Sequence, residues 1–331
     1  MGEPALRAGR DEDADDFIAL IGTCWAEYPG CVMDLDGEVP ELRALASYYA
    51  GQGGALWAAD AGGRVVGMVG TKPLGDGAWE ICKMYAYPAQ RGSGLAQALL
   101  AAAEGFARAQ GAAVMKLWSD TRFDRAHRFY EKCSYVREGA IRVLDDLSHT
   151  LEFGYAKTLT GLVVARLDAA AAVSAVPRLA AVLKECVDAG ASVSFHAPVA
   201  MGRAVAYWKG VASRAAVGDK TLFAAWCDGV LVGTVTLGLD MAENQTHRAE
   251  IRMLLVAPGS CRRGIGRLLL RAAEAAARDA GRELLALDTS TGGGAETLYL
   301  SEGWRQLGVI TDWSRTADGT REAATFFWKR L

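Results

Sequence analysis

The stretch EICKMYAYPAQRGSGLAQALL, from Glu80, returns later in the chain as EIRMLLVAPGSCRRGIGRLLL, from Glu250. Glu80 and Glu250, Pro88 and Pro258, Gly94 and Gly264, and Ala96 and Gly266 all keep one offset. Downstream, AHRFYEKCSY (Ala126 to Tyr135) aligns with AETLYLSEGW (Ala295 to Trp304). Upstream, VVGMV at Val65 aligns with LVGTV at Leu231. One short motif can recur by chance, but three in the same order mark a repeated structural unit. A chain of 331 residues is long for one domain and comfortable for two. The expectation is therefore two homologous domains, 1–159 and 160–331, joined near Thr158 to Leu162.

Composition narrows the function. The chain is 51% hydrophobic and 23% charged, enough to bury a core and too apolar for a disordered chain. A net charge of −3 argues against a dedicated nucleic-acid binder but leaves room for a local basic pocket. The seven cysteines are scattered and form no C-x-x-C pair, so neither a zinc site nor a disulfide framework is expected. No His-Glu-x-x-His pattern is present, and no metal is expected. The acidic start, MGEPALRAGRDEDADD, has no apolar segment of the secretory kind. The alanine-rich stretch from Leu167 to Val187 is interrupted by Asp168, Pro177, Arg178 and Lys184, too often for a membrane span. A cytoplasmic protein with no membrane partner is the expectation.

Each half reads alike. In the first, strands are expected at Ala5–Ala8, ALWAA, RVVGMVG, WEICKMYAY, AVMKLW, AIRVL and LEFGYAK, with helices to about Tyr28, over about 39–50, from Gly94 to Gln110, and from Arg125 to Lys132. In the second, LVVARL, LFAAWC, VLVGTVTL, AEIRMLLV, ELLALD and TFFWK read as strands, and the long helix spans Gly264 to Ala280. Gly111 and Gly281 stop the two long helices.

In both halves a strand ends at a proline, and a Gly/Arg loop then opens an alanine- and leucine-rich helix. The first turn of a helix carries unpaired N–H groups at the positive end of its dipole, which suits an anion, and glycine lets the anion approach closely. Arg91, Arg262 and Arg263 add charge at the rim. A dinucleotide fingerprint lacks its third glycine, because Gln97 and Leu269 stand there, and no Gly-Lys-Ser/Thr follows as in a P-loop. A strand-to-helix turn without a ligand is the remaining alternative, and two copies in the same context weigh against it.

R-G-S-G-L-A (Arg91 to Ala96) resembles the Arg/Gln-x-x-Gly-x-Gly/Ala motif of the GNAT superfamily of N-acetyltransferases. C-R-R-G-I-G (Cys261 to Gly266) resembles it too, with Cys261 where Arg or Gln is usual. The tail pattern Ala-x-x-Leu/Phe-Tyr-x-x-x-Gly-aromatic is similar in both halves, with Ser134 in place of the glycine in the first. GASVSF (Gly190 to Phe195), HRAEIRMLLV, LDT and AETLY make the second half resemble the tabtoxin resistance acetyltransferases, which act on a small amino-acid-like toxin. The resemblance implies an α/β (α+β) fold, two tandem GNAT-like domains, each a mixed, mostly antiparallel sheet flanked by helices. It implies acetyl-CoA as cofactor, its pyrophosphate on Arg91, Gly92, Ser93, Gly94, Leu95 and Ala96, and on Cys261, Arg262, Arg263, Gly264, Ile265 and Gly266. It also implies that backbone amides of Met84, Tyr85 and Ala86, and of Leu254, Leu255 and Val256, polarise the acetyl carbonyl.

Acetyl transfer to an amine needs a neutral nucleophile, a stabilised oxyanion and a proton for the departing thiolate. An alkyl amine of pKa roughly 10 is neutral in about one molecule in a thousand at pH 7, so a base assists. Glu80 and Glu250 begin the strands that lead into the loops and are the candidate bases. Tyr130 and Tyr299 are the candidate acids, from the resemblance. Asp120 and Asp288 end the next strands, where they can bind the substrate or cap a turn. Trp25, Tyr28, Phe195, Trp208 and Trp313 are candidates to line acceptor pockets, although most aromatic residues are core. No cysteine sits in a Cys/His/Asp arrangement, so direct attack through a tetrahedral intermediate is expected. The expected acceptor is the primary amine of a small amino-acid-like molecule, in resistance or metabolite tailoring, and the protein is a monomer or a homodimer. Three alternatives stay open: one catalytic half beside a degenerate structural one, a non-enzymatic acyl-CoA sensor, and a protein or peptide N-acetyltransferase.

Overall fold

In the computed structural model, which describes residues 4–316 and 318–331, the strands form two sheets. The chain divides into two compact units. The first holds the residues up to Tyr130 with Arg137–Thr160, and the second holds Gly161–Leu331 with Glu131–Val136.

The first unit runs β1 (Ala5–Ala8), α1 (Ala14–Trp25), α2 (Leu45–Gly51), β2 (Ala55–Asp60), β3 (Val65–Gly75), β4 (Ala78–Ala86), α3 (Leu95–Ala109), β5 (Val114–Asp120), α4 (Asp124–Lys132), β6 (Val136–Arg137), β7 (Arg142–Val143) and β8 (Leu151–Thr158). Its sheet order is β1-β2-β3-β4-β5-β8-β6, with β7 beside β8. The β4–β5 pair is parallel, and the β1–β2, β2–β3, β3–β4 and β5–β8 pairs are antiparallel.

The second unit runs β9 (Leu162–Leu167), α5 (Ala169–Asp188), α6 (Met201–Ala216), β10 (Lys220–Cys227), β11 (Val230–Gly238), β12 (Arg248–Val256), α7 (Ile265–Asp279), β13 (Leu284–Ser290), α8 (Gly294–Ser301), β14 (Arg305–Arg315) and β15 (Arg321–Arg330). Its sheet order is β14-β15-β13-β12-β11-β10-β9, with β12–β13 as its parallel pair. Both sheets are therefore mixed and mostly antiparallel.

Local chemistry explains the elements that the sequence announces. On α7, Ile265, Leu269, Leu270, Ala273 and Ala277 recur at helical spacing and pack with Val235, Leu237, Ile251, Leu285 and Phe327 of the sheet. On the other face, α5 and α6 pack through Leu179, Leu183 and Trp208 against Leu222, Ala224 and Trp226. Trp208 is wholly buried in this core and is not a pocket residue. The repeated strand glycine also has a reason. A Cβ on Gly67 would come within 3.1 Å of Leu95 and Leu99, and one on Gly233 within 3.1 Å of Leu269, so glycine lets each long helix lie close on its sheet.

Two expectations differ from the structure. The helix expected over about 39–50 is a 3-10 turn at Pro40–Ala44 followed by the short α2. The edge strand β14 was not expected, because RQLGVITDWSR has no apolar/polar alternation and leaves Leu307, Val309, Ile310 and Trp313 exposed.

One buried pair recurs in both units and was not expected from sequence. Glu104 of α3 receives Lys157 of β8 at 2.8 Å, and Glu274 of α7 receives Lys329 of β15 at 2.6 Å. Both glutamates are buried, and each pair joins the long helix to a late strand of the sheet. Among the described residues no helix is long and apolar enough to cross a membrane.

Candidate active site

The site begins where the two parallel strands part. β12 and β13 stay in register from Arg248↔Leu284 to Glu250↔Ala286 and then separate. β4 and β5 do the same from Ala78↔Val114 to Ile81↔Leu117. Just beyond, β12 carries a bulge: Thr234 faces Leu255 and Thr236 faces Arg252, so Met253 and Leu254 together oppose Val235. β4 repeats it, with Lys83 and Met84 opposing Val69. Met253 at φ 52° and Lys83 at φ 45° are side-chain-bearing residues in the left-handed region. That strain, of order 1 kcal/mol or more, is retained at equivalent positions in both units. The bulge interrupts the ladder beside Leu254–Val256 and Met84–Ala86, the segments expected to polarise a carbonyl.

After the bulge, β12 ends in a 3-10 turn at Pro258–Ser260, and Gly264 at φ 80° caps α7. β4, the turn at Pro88–Gln90 and Gly94 at φ 87° lead into α3 in the same way. A Cβ on Gly92, Gly94 or Gly264 would meet no heavy atom within 4 Å, so each loop leaves open space beside these glycines. At Gly266 a Cβ would lie 3.3 Å from Leu298, which keeps the helix start close to α8. A glycine-capped helix start with exposed arginines beside it fits the pyrophosphate of acetyl-CoA; in the first unit the Leu95 N–H donates to Ser93 Oγ at 3.3 Å. The Cys261 thiol turns back to the carbonyls of Val256 and Ala257, 3.7 Å from each. In the first unit Arg91 is paired with Glu27 at 2.6 Å. The strand-end carbonyls are capped alike, Ala86 by the Cys24 thiol at 3.5 Å and Val256 by the Cys186 thiol at 3.3 Å.

In the second unit these parts line one cleft of about 1840 Å³. Glu250, Tyr299, Leu254, Leu255, Val256, Cys261, Arg262, Gly264, Ile265, Gly266, Phe195 and Asp288 all border it, as does Trp313, while Arg263 lies off it. Glu250 is half-buried and held by Arg248 at 2.9 Å and by Arg252 at 2.9 Å. Burial alone would raise its pKa, but the two arginines outweigh burial and hold the carboxyl below its ordinary value. Tyr299 is buried against Trp304 and Phe327. Burial, with the Asp288 carboxylate adding to it, pushes its hydroxyl well above the usual tyrosine value, so it stays protonated. Phe195 packs edge-on against Tyr207 at 5.4 Å. Glu322 of β15 accepts hydroxyl protons from Ser192, from Ser290 at 2.9 Å and from Ser314 at 3.1 Å, which ties three walls of the cleft together.

In the first unit Glu80 is half-buried, 3.8 Å from Lys72, and Tyr130 is buried beside Phe129 and Tyr155. Asp120 is buried and engaged by the Arg122 backbone N–H at 2.8 Å and its guanidinium at 2.9 Å, the turn-capping alternative. The Trp25 indole donates to the Tyr85 hydroxyl at 2.9 Å, and Tyr28 packs tilted at 44° against Phe123, ring centres 4.5 Å apart.

Among the residues of the second-unit cleft that sequence reasoning did not single out are Tyr207, Lys220 and Arg252. Arg252 carried a signal, since it stands two positions after Glu250 on a strand and so on the same face. Lys220 carried none, because its place relative to Glu250 is set by strand register through Gly238 and by no local pattern.

The sequence model of the acetyltransferase (GNAT) family matches residues 19–135 and 195–309, together well over half of the chain. Solved structures match about half of the chain. A ribosomal-protein-alanine N-acetyltransferase from Brucella melitensis is 21% identical, covers 51% of this chain and 99% of its own, and has a TM-score of 0.43. A putative acetyltransferase from Salmonella typhimurium, solved with acetyl-CoA, is 18% identical over 51% of this chain and 94% of its own, at a TM-score of 0.43. An N-acetyltransferase from Staphylococcus aureus is 14% identical over 52% and 99%, at 0.44. The two matched regions, one in each sheet-and-helix unit, make the chain a tandem member of the acetyltransferase (GNAT) family, an N-acetyltransferase that uses acetyl-CoA.

Proposed function

We propose that the second-unit cleft acetylates the primary amine of a small amino-acid-like molecule, in toxin or antibiotic resistance or in the tailoring of a metabolite. The domains of this reading are 1–159 and 160–331. The observation that carries it is the convergence of Glu250, Tyr299 and the bulged strand Leu254–Val256 on one cleft that also reaches the glycine loop. Acetyl-CoA, when bound, supplies an activated thioester.

In this reading the loop amides from Arg262 to Gly266 hold the pyrophosphate, and amides of Leu254–Val256 take up negative charge on the carbonyl oxygen. Glu250, ionised through the neutral range, draws a proton from the amine through water. An ammonium entering beside Arg252 and Lys220 meets like charges, which lower its pKa and raise its neutral fraction. Tyr299 holds its proton tightly, so it acts chiefly as a hydrogen-bond donor to the departing thiolate. Glu80 and Tyr130 are the first-unit counterparts. Glu27 offsets the one rim arginine of the first-unit loop, Arg91, whereas in the second unit Asp228 offsets Arg263 and leaves Arg262, which favours the second unit as the half that does this chemistry.

The test is release of free thiol from acetyl-CoA against amino acids, β-lactam dipeptides, aminoglycosides, polyamines and a lysine peptide. The reading expects turnover with amino-acid-like amines. Turnover confined to the lysine peptide would favour a protein substrate, and acetyl-CoA binding without turnover on any amine would favour a sensor.

A further inference from the structure

Lys220, the first residue of β10, stands opposite Gly238 of β11, and Gly238 stands opposite Glu250 of β12. In an antiparallel ladder such residues share a face, so Lys220 and Glu250 flank a position with no side chain, two strand spacings or roughly 10 Å apart along the backbone. Both border the cleft, together with Arg252 and Tyr207. Lys220 is half-buried, and among the described residues no group accepts a hydrogen bond from its Nζ. Burial, with Arg252 and Arg214 nearby, lowers its pKa. The acids within electrostatic reach, Asp219 and Asp240, are both engaged by Arg214. Arg252 spends Nε and one Nη on Glu250, and its remaining Nη is uncommitted among the described residues. A half-buried ammonium with no direct ion-pair partner is costly unless a ligand supplies one.

We infer that the acceptor is an aminocarboxylate whose carboxylate is held by Lys220, with Arg252 and Tyr207 alongside, while its amine lies toward Glu250. This deepens the acetyl-transfer reading of the same cleft and rests on it. A carboxylate fits the donor set: Lys220 Nζ and the open Nη of Arg252 each carry charge, and the Tyr207 hydroxyl adds a neutral donor. The carboxylate also sets the direction of the acceptor. It draws the acid end toward β10 and leaves the amine over Gly238, toward Glu250.

The experiment compares each amino acid of a panel of L-amino acids, β-alanine and γ-aminobutyrate with its own carboxamide, in thiol-release assays on wild type, Lys220→Gln and Lys220→Arg. Wild type is expected to favour the acid over the amide by roughly ten- to hundredfold in kcat/KM. Lys220→Gln is expected to collapse that ratio toward one by lowering the acid, and Lys220→Arg to restore much of it. Amides that turn over as well as acids, or a Lys220→Gln variant that lowers both equally, would overturn the inference. A second arm needs no turnover: Lys220 is labelled with an amine-reactive ester and followed by peptide mass mapping, with the panel acids or amides present. Protection by acids and not by amides upholds the carboxylate site even where no amine is acetylated, in which case the acetyl-transfer reading alone has failed. Equal labelling with acids and with amides overturns the site itself.

Discussion

Glu250 lies between two arginines, and that placement decides what a pH profile can show. Its folded pKa lies below its ordinary value of 4.5. A carboxyl lowered in this way contributes stability above its unfolded pKa and loses it as the pH falls through the folded value. Between roughly pH 6 and 9 it stays ionised, and the rise of kcat/KM with pH belongs to the acceptor amine. The expected profile has the same midpoint in wild type and in Glu250→Gln, with the variant about a hundredfold lower throughout. A midpoint near neutrality that vanishes in Glu250→Gln would contradict this. Cys261 invites a second substitution. A guanidinium there would add a cation at the loop, so Cys261→Arg is expected to tighten acetyl-CoA binding roughly two- to fivefold at low salt, measured by calorimetry. Unchanged affinity would mean that this position does not reach the pyrophosphate. The glycine loops were legible in sequence because they are local: Gly94 and Gly264 adopt the left-handed conformation the motif requires, next in sequence to the helices they open.

The element scale shows where that legibility ends. Helices α3 and α7 could be read from their apolar spacing and from Gly111 and Gly281, which sit at φ 83° and 68° just past their ends. Glu104 and Glu274 could not be read as buried residues, because each owes its place to a lysine more than fifty residues away in sequence. A buried carboxylate that loses its lysine, or a lysine that loses its carboxylate, is left uncompensated. Glu274→Ala is therefore expected to destabilise the second unit by about 3–5 kcal/mol in chemical denaturation, with Trp304 also losing its acceptor. The double variant Glu274→Leu/Lys329→Met is expected to recover most of that loss. A Glu274→Ala variant as stable as wild type would mean that the pair is solvated. The bulges at Met253 and Lys83 belong to the same class of hidden feature. They are defined by register against β11 and β3, and nothing in the local residue types announces them.

Across the whole molecule, one plan is used twice with different side chains. The splayed strands, the bulge, the glycine-capped helix, the cysteine on the strand-end carbonyl and the buried Lys–Glu pair occur in both units. The rim charge and the side chains around the splayed strands differ. The first unit sets Glu27 on Arg91, Arg122 on Asp120 and Trp25 on Tyr85, and the second lines its cleft with Lys220, Arg252 and Tyr207. A duplicated fold whose copies keep the cofactor side and diverge on the acceptor side is expected to divide its labour. The most direct test is amine-dependent release of thiol from acetyl-CoA by wild type, Tyr130→Phe and Tyr299→Phe, each on its best acceptor. Loss of the hydrogen bond to the departing thiolate is expected to slow Tyr299→Phe roughly ten- to hundredfold, with Tyr130→Phe close to wild type. Full activity in Tyr299→Phe with loss in Tyr130→Phe would move the chemistry to the first unit and contradict the account.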